Sequence, residues 1–322
     1  MIITTDETLA VETKDLVKTF GNNRAVDGVS LSIHVGTICG VLGPNGAGKT
    51  TIINMLATLL KPDAGSAKVF GYDVQKEAQK VRQLIGLTGQ FASVDEELSA
   101  TENLVIFGRL LGLSRAESKL KAQELLEEFG LTEAADRKLS EFSGGMRRRL
   151  DLAASLISSP PLIFLDEPTT GLDPRTRTQM WQTIRRLVKN GSTILLTTQY
   201  LDEADQLADR IIVIDKGKVV ADDTPNGLKR SVGSASLQLT VADPDDAGRA
   251  AKIIENVLGE KVQLMEASEL TAPIKHTDKL TDVLTALQKA GIELTAINTR
   301  QPTLDEVFFA LTGNVREDSA EA

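Results

Sequence analysis

The sequence predicts an α/β protein in two parts, a sheet-and-helix domain over residues 1–228 and a small α+β domain over 229–313. Three observations carry this. Gly43-Pro44-Asn45-Gly46-Ala47-Gly48-Lys49-Thr50-Thr51 lies between an apolar strand pattern and a helical one. Pro161 to Leu165 is a second apolar strand pattern, and it ends in the adjacent carboxylates Asp166 and Glu167. Past about Gly227 the pattern restarts in the order β-α-β-β-α-β, that of a ferredoxin-like domain.

From Leu9 to His34 apolar residues alternate in strand fashion, with Val29, Leu31 and Ile33 on one face. Lys18-Thr19-Phe20-Gly21 closes the first hairpin region, and Phe20, close in sequence to the glycine-rich loop, is expected to stack on an adenine face. Such a stack is favourable by about 1–3 kcal/mol. Thr37 to Leu42 reads as a buried strand and Thr50 to Leu60 as a helix. The loop between them fits the phosphate-cradling pattern G-x-x-x-x-G-K-[ST]. Gly43, Gly46 and Gly48 let the backbone curl so that successive N–H groups face phosphate oxygens. Lys49 reaches the β- and γ-phosphates as a point charge, the Thr50 hydroxyl ligates Mg2+, and the helix N-terminus adds a favourable dipole. The stretch is read as the binding site of a nucleoside triphosphate.

Lys61 to Ser66 is a turn, Ala67 to Phe70 a short strand, and Leu84 to Gln90 a further extended segment. Ser99 to Glu141 then reads as amphipathic helices, with capping boxes pairing Ser99 with Glu102 and Ser114 with Glu117. Leu120, Leu125, Leu126 and Phe129 form a helical stripe that Gly130 stops. A helical block set into a strand–helix alternation suggests a subdomain that moves as a unit. It ends in Phe142-Ser143-Gly144-Gly145-Met146-Arg147-Arg148-Arg149, which opens a helix through Ile157. The Ser-Gly-Gly turn is either an ordinary helix start or a second place where backbone N–H groups meet a phosphate. Arg147 to Arg149 reads as a solvated helix face.

At the end of the second apolar strand, Asp166 is placed to hold a metal, often through water, and Glu167 to orient and deprotonate an attacking water. Gly171-Leu172-Asp173-Pro174 turns into a helix ending near Asn190-Gly191. Thr193 to Thr198 is another buried strand, followed directly by Gln199, and the strands Arg210 to Asp215 and Lys218 to Ala221 complete the domain. In the second domain Leu237, Leu239 and Val241 alternate, and helices are expected over Asp245 to Leu258 and Asp278 to Ala290. Strands are expected over Val262 to Met265, Leu270 to Ile274 and Ile292 to Asn298. A closing helix, Leu304 to Leu311, carries the stripe Leu304, Val307, Phe308 and Leu311 and is expected to pack on its own domain. Residues 314–322 are acidic and small, and expected to be disordered. No catalytic constellation stands out in this second domain.

Composition narrows the class. A length of 322 residues suits two domains that each bury a core, and 41% hydrophobic with 25% charged residues is ordinary for a soluble globular chain. The net charge of −9 argues against a protein that holds nucleic acid. Cys39 is the single cysteine, so it is expected to pack in the core. No run approaches a membrane span in length, and Met1 to Ala10 is acidic where a leader would be basic and then apolar. The chain is therefore expected to be neither secreted nor membrane-spanning, and any membrane connection to come through a partner.

The segments GPNGAGKTT at 43–51, FSGGMRRRLDLAASLI at 142–157, LIFLDEPTTGLDP at 162–174, TTQYLDEAD at 197–205 and LDEVFFALTG at 304–313 together resemble the ATP-binding subunits of ABC transporters. The branch they resemble is that of the daunorubicin-resistance type of drug exporter, over about residues 11–313. The resemblance implies an ABC-type phosphate-loop ATPase domain: a mixed-sheet core, an antiparallel β subdomain and an inserted helical subdomain at about 92–158. It also implies ATP and Mg2+ as cofactors. Phe20 then takes the aromatic position on adenine. Residues Gly43, Pro44, Asn45, Gly46, Ala47, Gly48, Lys49, Thr50 and Thr51 bind the phosphates. Gln90 touches Mg2+ and the attacking water and couples to the membrane subunit, Thr50 and Asp166 serve the metal, and Glu167 is the base. Ser143, Gly144 and Gly145 become the signature that meets ATP held by another protomer, and Asp173 reaches across that dimer interface. The implied partners are a permease encoded as a separate chain and a second copy of the chain, or a related ATPase subunit, at the cytoplasmic face of the cell membrane. Three positions depart from the commonest pattern. Met146 stands where glutamine is usual, Phe20 where tyrosine is common, and Gln199 where histidine is usual; an amide still donates to a γ-phosphate but cannot become an imidazolium. Two other classes are open to such a chain: a nucleotide-gated regulator with little turnover, suggested by Gln199, and a soluble ATPase acting on ribosomes or DNA. The presence of Glu167 speaks against the first, and the acidic balance and the single phosphate loop against the second.

Overall fold

Two long antiparallel strands, β1 (Leu9–Phe20) and β2 (Asn23–His34), open the fold, and β1 is not regular. Asp15 sits at φ 48 and the register slips between Thr13 and Leu16, so the buried phase of β1 passes from Val11 and Thr13 to Leu16. This is a β-bulge, one extra residue that re-aims the strand. Gly65 lies against it, where a Cβ would stand 2.3 Å from the Asp15 carbonyl oxygen. The computed structural model describes residues 9–88, 94–233, 235–265, 268–274 and 279–312, and the chain divides into two units between Pro225 and Asn226.

In the first unit β3 (Ile38–Leu42) is buried along its whole length and leads through the glycine-rich loop into α1 (Lys49–Leu56). That helix is shorter than expected: Thr58 adopts φ 64 and Leu59 is exposed, so the backbone leaves the helix before Leu60. Then follow β4 (Ala64–Val69), β5 (Tyr72–Asp73), α2 (Ala78–Leu84) and β6 (Ile85–Thr88). The helical block holds α3 (Ala100–Leu110), α4 (Arg115–Glu128) and α5 (Gly144–Ser155). Beyond it lie β7 (Leu162–Asp166), α6 (Pro174–Lys189), β8 (Thr193–Thr198), α7 (Leu201–Leu207), β9 (Arg210–Asp215) and β10 (Lys218–Asp223). Strands β2-β1-β4-β5 form an antiparallel sheet. The second sheet runs β10-β9-β3-β8-β7-β6, parallel throughout except for β10. The burial of β3, β7 and β8 along their whole length follows from this: a parallel strand inside a sheet with both faces covered has no face for solvent. Cys39 lies in β3, and burial pushes its thiol up to about 12, which leaves it a packing group.

Both expected capping boxes are present, with the Ser99 and Ser114 hydroxyls accepting from the backbone of Glu102 and Glu117 and each glutamate returning to its serine N–H. Each box stabilises its helix start by about 1 kcal/mol. The stripe on α4 differs from the expected one. Ser118, Ala122, Leu125 and Leu126 face inward with Phe129 behind them, while Leu120 is exposed. At about 100° per residue, Leu120 falls on the far side of the helix from Ala122. The Ser118 side chain lies so close to Gly108 that a Cβ there would stand 2.7 Å from its Oγ, so α3 and α4 approach through two small residues.

The second unit contains most of α8 (Pro225–Val232), a helix with no counterpart in the sequence reading, then β11 (Ala235–Val241), α9 (Ala247–Leu258), β12 (Gln263–Leu264) and β13 (Glu269–Ile274). It closes with α10 (Lys279–Lys289), β14 (Leu294–Arg300) and α11 (Leu304–Thr312). The sheet order β12-β13-β11-β14, antiparallel at every pair, is the ferredoxin-like arrangement. Leu237, Leu239 and Val241 face the core with Ala250, Ile254, Val283 and Leu287 from the two helices. On α11, Leu304 and Val307 are buried, and Thr303 and Glu306 form a reciprocal cap at its start. Residue 278 and the segment 313–322 lie outside the described residues. No helix among the described residues is long and apolar enough to cross a membrane.

Candidate nucleotide site

The loop between β3 and α1 is shaped by its glycines in two different ways. A Cβ on Gly43 would stand 2.3 Å from the Ile214 carbonyl oxygen, and one on Gly48 the same distance from that of Ala25. Gly48 adopts φ 106 and Gly46 φ 79, where side chains are strained. The turn therefore rests directly on neighbouring backbone, and within it the Ala47 N–H donates to the Pro44 carbonyl at 3.2 Å.

Lys49, at 5% exposure, donates to the carbonyls of Gly43 at 2.7 Å and Pro44 at 3.1 Å, and its Nζ is 3.8 Å from Glu167 Oε1. Burial lowers its pKa, and the charges of Glu167 and Asp166 oppose that shift. The Thr50 hydroxyl donates to Asp166 Oδ2 at 2.9 Å, and the Thr197 hydroxyl donates to Asp166 Oδ1. Parallel pairing of β7 with β8 sets Asp166 opposite Thr197, which is how that threonine enters the site. Thr50 and Asp166 are an all-oxygen pair beside the phosphate loop. Such a pair suits Mg2+, which binds through one or two protein oxygens and keeps water and phosphate oxygens for the rest.

Glu167 is held on several sides. Its N–H donates to the Thr197 carbonyl at 3.1 Å and hydroxyl at 3.2 Å, and its Oε2 accepts from Thr170 Oγ1 at 3.2 Å. Its φ of 49 is a left-handed conformation. For a residue with a side chain this costs on the order of 1–3 kcal/mol, and it persists only where the surroundings over-determine it. A cleft of about 660 Å3 gathers Phe20, Asn23, Lys49, Thr50, Glu167 and Gln199 around the loop. Phe20 ends β1 as an exposed residue, 49% accessible, with Lys18 Nζ 5.6 Å from its ring centre. Asn23, Ala25 and Thr170 also line this cleft and escaped the sequence reading, because their positions depend on the turn after β1 and on the loop after Glu167.

The expected signature residues are not among those lining that cleft. Ser143 caps α5 and accepts from the Met146 N–H at 3.3 Å, while Gly145 lies against Thr176, where a Cβ would come within 2.5 Å of the methyl group. Asp173 caps α6, accepting from the Thr176 N–H at 3.0 Å and hydroxyl at 2.6 Å, and these bonds lower its pKa. Thr176 thus joins the Asp173 cap to the glycine turn of α5. Gln90 lies outside the described residues.

The solvated face expected for Arg147 to Arg149 is corrected by the structure. Arg147 pairs with Glu96, Arg148 donates to the carbonyls of Asp166, Glu167 and Pro168, and Arg149 donates to that of Phe129 at 3.0 Å. Successive helical residues point about 100° apart, so a run of three cannot share one face. One turn on from Arg148, burial pushes the Asp151 carboxyl up to about 6 against the opposing charges of Arg148 and Arg147, and its Oδ1 has no hydrogen-bond partner among the described residues. The native state therefore holds a proton that the unfolded chain has already released above its ordinary value of 3.8. This contribution to stability is full below that value and lost as pH rises through about 6. Asp151→Asn is expected to flatten this part of the stability curve, so that urea midpoints at about pH 4.5 and pH 7 differ less than in the parent chain.

The comparisons agree with this geometry. Residues 26–170 match the ABC transporter family, and residues 224–312 match the ATP-binding protein DrrA1-3-like, C-terminal domain. A daunorubicin/doxorubicin resistance ATP-binding protein of Streptomyces peucetius is 51% identical over 98% of this chain and 96% of its own length. A doxorubicin resistance ATP-binding protein of Mycobacterium tuberculosis is 43% identical over 97% of this chain and 96% of its own. Among solved structures, an ATP-binding cassette in a dimeric post-hydrolysis state bound to ADP and phosphate is 28% identical, with a TM-score of 0.61 over 66% of this chain and 98% of its own. The phosphate loop, the Asp166-Glu167 turn and the DrrA-like second domain occur in one chain. That combination makes this protein a member of the ABC transporter ATP-binding proteins, an ATPase that binds nucleotide.

Proposed function

We propose that this ATPase powers export of a hydrophobic compound, a drug or antibiotic or a lipid-like molecule, working as a nucleotide-sandwich dimer on a separately encoded permease at the cytoplasmic face of the cell membrane. The observation that carries the dimer is that Ser143, Gly144 and Gly145 do not line the cleft shared by Lys49, Thr50 and Glu167, and that Gly144 meets Glu167 and Thr170 only in a neighbouring cleft. A second copy, or a related ATPase subunit, supplies the missing wall. Phe20 stacks on adenine, the backbone of Gly43 to Thr51 and the Lys49 ammonium take the phosphates, and Gln199 donates to the γ-phosphate. Glu167 accepts the proton of the attacking water. Thr50 and Asp166, with Gln90, would hold Mg2+, which offsets charge on the phosphate oxygens. Asp173 lies beside the partner's nucleotide.

The compound is chosen by the permease, and the names of the relatives point to anthracyclines as the first to test. The test is reconstitution of the chain with its permease in proteoliposomes loaded with daunorubicin. Extrusion that requires ATP, accompanied by faster phosphate release, is the expected result. Release that is unchanged by the permease, with no movement of any hydrophobic compound tried, would count against the exporter.

A further inference from the structure

We propose that Arg148 is a positioning residue for hydrolysis, one whose guanidinium grips the peptide planes on both sides of Glu167 and so fixes the direction of its carboxylate. Its Nη2 donates to the Asp166 carbonyl at 2.7 Å and to the Glu167 carbonyl at 3.0 Å, and its Nε donates to the Pro168 carbonyl at 3.0 Å. The Asp166 carbonyl belongs to the rigid peptide plane that precedes Glu167 and the Glu167 carbonyl to the plane that follows it. Holding both planes fixes both backbone dihedrals of the residue between them. On the other side the Glu167 N–H is tied to Thr197. The left-handed conformation of Glu167, φ 49, is thereby over-determined from two directions.

Arginine suits this task because its donors form a planar fork that can serve several acceptors at once, whereas a lysine ammonium is a single point on a flexible stem. Arg148 also rides on α5, the helix capped by Ser143 and opened by Gly144 and Gly145. Any shift of that helix against β7 is therefore passed to the carboxylate through the guanidinium. The signature turn, proposed above to meet the partner's ATP, is in this way tied to the base of its own chain.

The proposal rests on the reading of Glu167 as the base, so Glu167→Gln is measured beside Arg148→Met, Arg148→Lys and the double variant Glu167→Gln/Arg148→Met, all in the full chain. For Arg148→Met the expected result is kcat at least about tenfold lower, with KM for ATP and equilibrium nucleotide binding within about twofold of the parent. Arg148→Lys should fall between. In the double variant residual turnover should be no lower than in Glu167→Gln alone, since both changes remove one function. If Glu167→Gln loses turnover and Arg148→Met keeps kcat within about twofold, the positioning role is overturned and the base stands. A further loss in the double variant also overturns it, because Arg148 would then act elsewhere. Full turnover in Glu167→Gln removes the base itself, and the role of Arg148 with it. Should Arg148→Met unfold, Arg148→Lys decides by the same split: lower kcat at unchanged KM and melting temperature supports the proposal, and unchanged kcat overturns it.

Discussion

Glu167→Gln is expected to reduce ATP turnover by about 10^2–10^4-fold while nucleotide still binds. The amide keeps the shape of the side chain and can keep the contact with Thr170 Oγ1, which is 3.2 Å from Oε2. It cannot take a proton from water. The same change removes the negative charge 3.8 Å from Lys49 Nζ, a charge that helps keep the buried ammonium protonated. Bound triphosphate supplies that charge instead, so affinity for ATP should hold or improve. Single-turnover phosphate release, equilibrium nucleotide binding and light scattering in the presence of ATP check the three parts. The expected combination is no release, near-normal binding and an accumulated dimer. Release at the parental rate would sink the assignment of Glu167.

The phosphate loop and the carboxylate turn were legible in the sequence because their information is local. Nine consecutive residues carry the cradle, and the apolar residues of β3, of β7 before Asp166 and at Ile194 to Leu196 of β8 identify buried parallel strands without knowledge of their neighbours. The capping boxes were legible for the same reason, each being complete within four residues. What escaped depends on distant parts of the chain. Arg148 looked like one of three exposed charges, and only the placement of α5 beside the end of β7 turns it toward three carbonyls. Thr197 becomes a partner of Asp166 through strand register, which no spacing rule reveals. Leu120 belongs to a cluster of leucines in the sequence, yet its angular position puts it on the exposed face of α4. The bulge at Asp15 leaves a weak mark, since the alternation over Leu9 to His34 breaks phase there, and Gly65 marks the same place from the opposite strand.

A mixture of two separately inactive variants, Ser143→Arg and Glu167→Gln, is expected to recover ATPase activity that neither shows alone. Ser143 caps α5 and does not line the cleft around Lys49, so an arginine there is expected to block the partner's nucleotide and leave its own phosphate loop intact. In a mixed dimer the two defects meet in one of the two sites. The other site joins the normal Glu167 of the first chain to the normal Ser143 of the second. At equal amounts about half of the dimers are mixed and each has one sound site. Recovery of about a quarter of the parental rate follows if sites act independently, and less if they act in concert. Activity should peak near equal proportions and vanish toward either pure variant, a dependence that a monomeric enzyme cannot produce. A flat response at every ratio would mean that each chain completes its own site, and the separation between the signature turn and the phosphate loop would then need to close within one chain.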